Sequence, residues 1–178
     1  VKQLDEEPRP VALGELGLDH GRRGLRFTRA RQERAFRAQL ALARERDLPL
    51  VLHVVQAHGR ALEILRQDGL PRAGGMVHRW SGPVELVGDY VGLGLHLSFS
   101  PAILHTPRLV EAARRTPAPL LLVETDAPDA LPAGGAEITP ASLPQVIAAV
   151  AQARGAPPEA IAALTEANAR RLYRLSPA

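Results

Sequence analysis

The chain has 178 residues, 46% of them hydrophobic, which is enough for one sizeable core and too apolar for a disordered chain. It has no Cys, which excludes disulfides, thiolate metal sites and a Cys nucleophile, and permits a reducing compartment; a cytoplasmic location is the expectation. Lys and Arg total 22 against 19 acidic residues, a formal charge of +3, too near balance to indicate a partner, and no apolar run approaches the roughly 20 residues that span a bilayer.

Val1 to Pro10 is charged and lacks a signal-peptide core. Val11 to Leu16 is a short apolar run closing in Gly14-Glu15-Leu16-Gly17; the glycines allow a sharp turn beside the carboxylate, so a strand and then a loop are expected. Arg22, Arg23, Arg26, Arg29, Arg31, Arg34 and Arg37 crowd the next segment. This run reads as a solvated helix face or as a phosphate contact, because guanidinium presents a planar fork of donors. From about Ala30 to Asp47, Phe36, Leu40 and Ala43 recur at i, i+4 and i+7, the apolar stripe of an amphipathic helix.

The alternation continues. Pro49 to His53 reads as a second buried strand; Ala61, Ile64 and Leu65 mark a helix; Gly75 to His78 is a third strand; Val84, Val87 and Val91 mark a helix from near Ser81. Gly92 to Ser98 is a fourth strand, Thr106 to Arg115 a helix with Pro107 in its first turn, and Leu120 to Glu124 a fifth strand. Asp126 to Thr139 is rich in Pro, Gly and Ala, and helices follow, one with Leu143, Ile147 and Val150 in register and others from Pro157 to about Leu175.

Strands alternating with helices imply right-handed crossovers and a parallel α/β sheet. Five such strands suit an open doubly wound sheet or part of an eight-stranded barrel, for which ~250 residues are usual. No Gly-x-Gly-x-x-Gly or Walker loop follows a strand, which favours an incomplete (β/α)8 TIM-barrel type of about five strands. Five strands cannot close a barrel, so swapped pairing between copies, or an open sheet with a bared apolar face and association through its edges, is expected.

Four of the five strands end in a side chain able to bind a divalent cation: Glu15, His53, His78 and Asp126. Taken singly, each has an ordinary reading, as a turn cap, a rim histidine or a turn former. Converging from separate strand ends, they describe a metal site, with imidazole and carboxylate suited to Zn, Mn, Fe or Ni and carboxylate-rich variants to Mg. A cation there would lower the pKa of its water, and Asp126 could take the proton as that water attacks. His58 and His105 are read as surface or capping residues and His96 as strand lining.

These segments are similar to the TatD family of metal-dependent deoxyribonucleases, a branch of the amidohydrolase-like barrels. Gly14-Glu15-Leu16-Gly17-Leu18-Asp19 resembles the family's Gly-Glu-Ile-Gly-Leu-Asp signature, and Gln39 to Ala43 with Pro49 to His53 its next helix and strand. His78-Arg79-Trp80-Ser81-Gly82 resembles its His-x-Phe-Ser-Gly element, Glu124-Thr125-Asp126-Ala127-Pro128 matches Glu-Thr-Asp-x-Pro, and Asn168 to Tyr173 resembles the closing Asn-x-x-Arg-Leu-Phe helix.

The resemblance implies a hydrolase that removes nucleotides from DNA 3′ ends with two divalent ions, Mg, Mn or Zn. Glu15 would bridge the ions, His53 and His78 would complete one site, Asp126 would bind the other and serve as base, and Glu124 would orient its neighbours. The family's opening His-x-His strand has no counterpart in this sequence, Val55 stands where an Arg is usual and His20 where a Tyr is usual. The expectation is therefore one domain over Val1–Ala178, shortened at its amino end and corresponding to roughly strands four to eight. Two further classes are compatible: a non-catalytic nucleic-acid or protein-binding module, and a hydrolase of amides or lactones from the same superfamily.

Overall fold

The computed structural model describes residues 10–22, 24–128 and 138–176. Arg23 and most of the Pro/Gly/Ala-rich stretch before Thr139 lie outside the described residues. Strands β1 (Leu13–Asp19), β2 (Leu50–Val55), β3 (Gly75–Val77), β4 (His96–Phe99) and β5 (Leu121–Val123) alternate with helices α1 (Arg29–Arg46), α2 (His58–Asp68), α3 (Val87–Gly92) and α4 (Pro107–Arg115); α5 (Leu143–Arg154) and α6 (Pro158–Tyr173) follow.

All pairings are parallel, in the order β1-β2-β3-β4-β5. A doubly wound sheet would reverse its order at a switch point, whereas strands laid down in chain order form a continuous stretch of barrel wall. Among the described residues the sheet does not close, and β1 and β5 are its edges.

Local sequence explains the helices. Thr28 caps α1, its side chain accepting from the Arg31 N–H at 3.3 Å, and Asp47 ends the helix in the left-handed conformation. Phe36, Leu40 and Ala43 form the buried stripe that their spacing predicts. Pro107 and Pro158 open α4 and α6, where a missing N–H costs nothing, and Gly155 closes α5 at positive φ.

Strand alternation sorts the sheet into two faces. Leu50, Leu52 and Val54 of β2, Val77 of β3 and Leu97 and Phe99 of β4 are buried in the main core with α1, α2 and α4. Each such side chain contributes roughly 1.5–3 kcal/mol by leaving water. The opposite face carries Val51, Met76 and Leu122, packed against Ala169, Leu172 and Tyr173 at the end of α6, with the Tyr173 hydroxyl 2.8 Å from Met76 Sδ. That face is thus not the bared apolar surface expected of an open sheet, because α6 folds back onto it. Asn168 fixes this helix, its amide donating to the carbonyls of Ala118 at 2.7 Å and Leu121 at 2.8 Å.

Several boundaries depart from the sequence expectation. The first strand does not turn at Gly14 and Gly17 but runs on to Asp19, paired with β2 through Gly17↔His53 and Asp19↔Val55. The two glycines serve close approach: a Cβ on Gly14 would stand 2.5 Å from Val51 Cβ. The register shifts between Gly14 and Leu16, so Glu15 sits in a bulge rather than at a strand end. His53 likewise lies within β2, which reaches Val55. The fourth strand starts at His96 instead of Gly92, because the N–H groups of Leu93 and Leu95 both return to the Tyr90 carbonyl to finish α3. His58 is no surface cap but is buried against Trp80 and Tyr90, with ring centroids 5.0 and 5.7 Å away.

Candidate metal centre

Four segments meet at the carboxyl ends of the strands. The bulge in β1 presents Glu15, β2 presents His53, His78 follows β3 by one residue, and Glu124 and Asp126 follow β5. Glu15 Oε2 lies 3.4 Å from His53 Nδ1 and 3.3 Å from His78 Nε2, and the two nitrogens are 3.1 Å apart. Among the described residues these three form a group whose ligand atoms all lie within 4.8 Å of one another. Two nitrogens bound tetrahedrally to a common Zn at 2.0–2.1 Å stand roughly 3.3 Å from each other, so the observed spacing fits a shared cation.

Each imidazole is backed by an acid on the side away from this point. His53 Nε2 is 3.7 Å from Asp19 Oδ2, and His78 Nδ1 is 3.9 Å from Glu124 Oε1. At these distances the acids lie behind the rings without hydrogen-bonding to them; with an ion bound, a carboxylate–histidine–metal order would orient each ring and raise its basicity. Burial pulls the His78 pKa down, against the raising influence of Glu15 and Asp126, and so favours the neutral imidazole that a metal requires. Burial also pushes the Glu124 carboxyl up to about 7, although the Arg79 N–H donates to its Oε1, with Asp126 and Glu15 adding like charge.

Asp126 is at this end of the sheet but turned to another partner. Its Oδ2 pairs with Arg79 Nη1 at 3.0 Å, and both residues have positive φ, 55° and 47°. Sequence reasoning missed Arg79 and Asp19. Asp19 carried a signal, since it stands two residues after Gly17, the partner of His53, and strand period places it on the same face. The glycines on either side of Leu16 read as a turn, which hides that period. Arg79 carried none, because only folding brings it to Asp126.

A cavity of about 550 Å³ runs beside His53 and His78 and is lined also by Arg22, Gln56, Arg79, Ser81 and Arg108. A second, of about 520 Å³, reaches from Glu15, Asp19 and His53 to Arg26, Phe27 and Arg31. Within the Arg-rich segment, Arg37 instead pairs with Asp68 across to α2, while Arg26 and Arg31 lie over the Phe27 ring at 5.2 and 4.9 Å.

A family model described as TatD related DNase matches residues 1–174. The chain belongs to the TatD family. The 3′-5′ ssDNA/RNA exonuclease TatD of Rahnella sp. (strain Y9602) is 37% identical over 186 residues, covering 99% of this chain and 70% of that protein. An uncharacterized metal-dependent hydrolase of Bacillus subtilis, YabD, is 30% identical over 180 residues with the same coverage. Among solved structures, the TatD homolog YjjV of Escherichia coli K12 superposes with a TM-score of 0.83 at 30% identity, over 93% of this chain and 64% of that one. A TatD family hydrolase from Entamoeba histolytica gives 0.82 at 17% identity, over 98% and 66%, a likeness of fold. The chain thus spans about 70% of the length of the curated relatives and slightly less than two thirds of these solved chains. By family it is related to TatD-type metal-dependent hydrolases, and its sheet matches five strands of the TatD barrel. No helix among the described residues is long and apolar enough to cross a membrane.

Proposed function

We propose that the protein is a divalent-metal-dependent nuclease that hydrolyses the phosphodiester at the 3′ end of DNA. The observation that carries this reading is the convergence of Glu15, His53 and His78, two imidazoles each backed by a carboxylate and facing one carboxylate oxygen. The TatD exonuclease of Rahnella, named for ssDNA and RNA, supports nucleic acid as the substrate class.

These three residues would hold Mg, Mn or Zn, and the ion supplies a Lewis acid and an acidified water. Asp126 stands nearby as the carboxylate that accepts the proton of the attacking water, and Glu15 sets the negative side of the centre. Were a second ion bound, Glu15 and Asp126 are the residues that would hold it. Asp19 and Glu124, 3.7 and 3.9 Å behind the imidazoles, would favour the tautomers that turn a bare nitrogen to the centre. Arg22, Arg79 and Arg108, lining the adjacent cavity, suit the phosphates of an incoming strand.

This reading treats Val1–Ala178 as one domain acting in the cytoplasm, with β1 and β5 free to associate with another copy. The test is a single-stranded oligonucleotide labelled at its 5′ end, incubated with Mg or Mn. Stepwise shortening from the 3′ end, abolished by a chelator and lowered on the order of 100-fold or more in Glu15→Gln, is expected, since even an outer partner of a metal ligand is worth 10–100-fold. Binding without cleavage in the presence of chelator favours the non-catalytic module instead, and hydrolysis of amides or lactones with DNA untouched favours the other hydrolase class.

A further inference from the structure

Arg79 is held at the centre from both sides of the chain. Its own N–H donates to Glu124 Oε1, the preceding His78 N–H donates to the Leu52 carbonyl at 3.0 Å, and the following Trp80 N–H to the Ser98 carbonyl at 2.8 Å. At a φ of 47° the backbone turns sharply between these bonds, and Arg79 lines the cavity together with its neighbours His78, Trp80 and Ser81. Backbone bonds to three neighbouring segments thus place the guanidinium, whose Nη1 lies 3.0 Å from Asp126 Oδ2 with the side chain only 37% exposed.

Two observations meet here. Glu15, His53 and His78 close on a point without Asp126, and Asp126 already has a cation. Guanidinium is charged at every relevant pH and carries five donors, so one ion pair leaves others for an acceptor in the cavity. A second metal ion on Asp126 would have to displace that charge or tolerate it at contact distance.

We propose that Arg79 is the resident cation of Asp126: its guanidinium takes the place of a second metal ion, and its donors outside the Asp126 pair bind a phosphate oxygen of the substrate. This rests on the proposed ion at Glu15, His53 and His78, and it makes the centre a one-ion site completed by an arginine. The ligand class is a phosphate group, the terminal phosphodiester of a nucleic acid strand in the full reaction. Asp126 then positions Arg79 as well as facing the attacking water.

The experiment counts Mn by electron paramagnetic resonance on the full chain and then titrates inorganic phosphate into the Mn-loaded and the metal-free protein. One Mn per chain is expected for the wild type and for Arg79→Gln, with phosphate affinity reduced about tenfold or more in Arg79→Gln, as loss of a charge-assisted contact requires, and less in Arg79→Lys. Arg79→Gln removes the charge while keeping a polar side chain, and circular dichroism checks its folding; should it unfold, Arg79→Lys decides, because loss of the planar fork must still lower phosphate affinity. Two Mn per chain, one of them removed by Asp126→Asn, would overturn the proposal, as would phosphate affinity unchanged in the folded variant. If no Mn binds and Glu15→Gln alters nothing, the metal-centre reading fails, whereas phosphate binding to the metal-free protein that depends on Arg79 still upholds the arginine's role.

Discussion

Gly17 lies so close to His53 that a methyl group on it would stand 2.1 Å from the His53 carbonyl oxygen, and its φ of 145° suits glycine alone. The contact joins β1 to β2 at the level of the metal centre, through the pairing Gly17↔His53. Gly17→Ala must therefore push the strands apart where Glu15 and His53 face each other. We expect it to cost at least tenfold in Mn affinity by calorimetry, because a shift of about 1 Å in a positioned group has consequences of this size or larger. Unchanged affinity would mean that the strand spacing does not position the ligands.

Asp19 backs His53 without touching the place where an ion would sit. Asp19→Asn retains an oxygen for the Gly21 N–H, which Asp19 Oδ1 accepts at 2.8 Å, but removes the charge behind the imidazole. Metal affinity should fall by about 10–100-fold with the circular dichroism spectrum preserved. A variant with wild-type affinity would show that His53 is oriented by β2 alone.

His58 is 93% removed from solvent between Trp80 and Tyr90, and burial, aided by the Arg108 charge, holds its pKa down to about 4. The unfolded chain takes up this proton near the ordinary value of about 6.5, so between these limits the unfolded state binds more protons and stability falls as pH falls. Above about pH 6.5 the residue makes no pH-dependent contribution; by about pH 4 the loss approaches roughly 3 kcal/mol. Urea unfolding of wild type and His58→Gln across this range should give curves that diverge by that amount, since Gln does not titrate. Parallel curves would count against a buried neutral His58.

Asn168 satisfies two carbonyls at the entrance to β5 and accepts from Arg171 at 2.8 Å. Asn168→Ala leaves the carbonyls of Ala118 and Leu121 without this donor and frees α6 from the sheet. A loss of about 2–3 kcal/mol in unfolding free energy is expected. The same experiment on the exposed Glu159 of α6 should change stability by less than about 0.5 kcal/mol.

Hydrophobic periodicity made the α/β alternation legible, because a buried strand and a one-faced helix each impose a local pattern that needs no partner to be recognised. Phe36, Leu40 and Ala43 are buried as their spacing requires, and the prolines open their helices where a missing N–H is harmless. The Glu15, His53 and His78 group was legible for a related reason, as parallel strands set side by side in chain order bring residues of neighbouring strands to one end of the sheet, although Glu15 and His53 lie inside their strands rather than at the ends. Residue order alone therefore determined the strand sequence, the candidate ligands and the family. Tertiary structure decided the rest: that Glu15 sits in a bulge, that Gly17 spaces two strands instead of turning one, that His58 is buried, and that Asp126 faces Arg79. Each of these depends on which backbones approach within a few ångströms of each other and which charges meet across them, and such distances between remote segments leave no periodic trace along a chain.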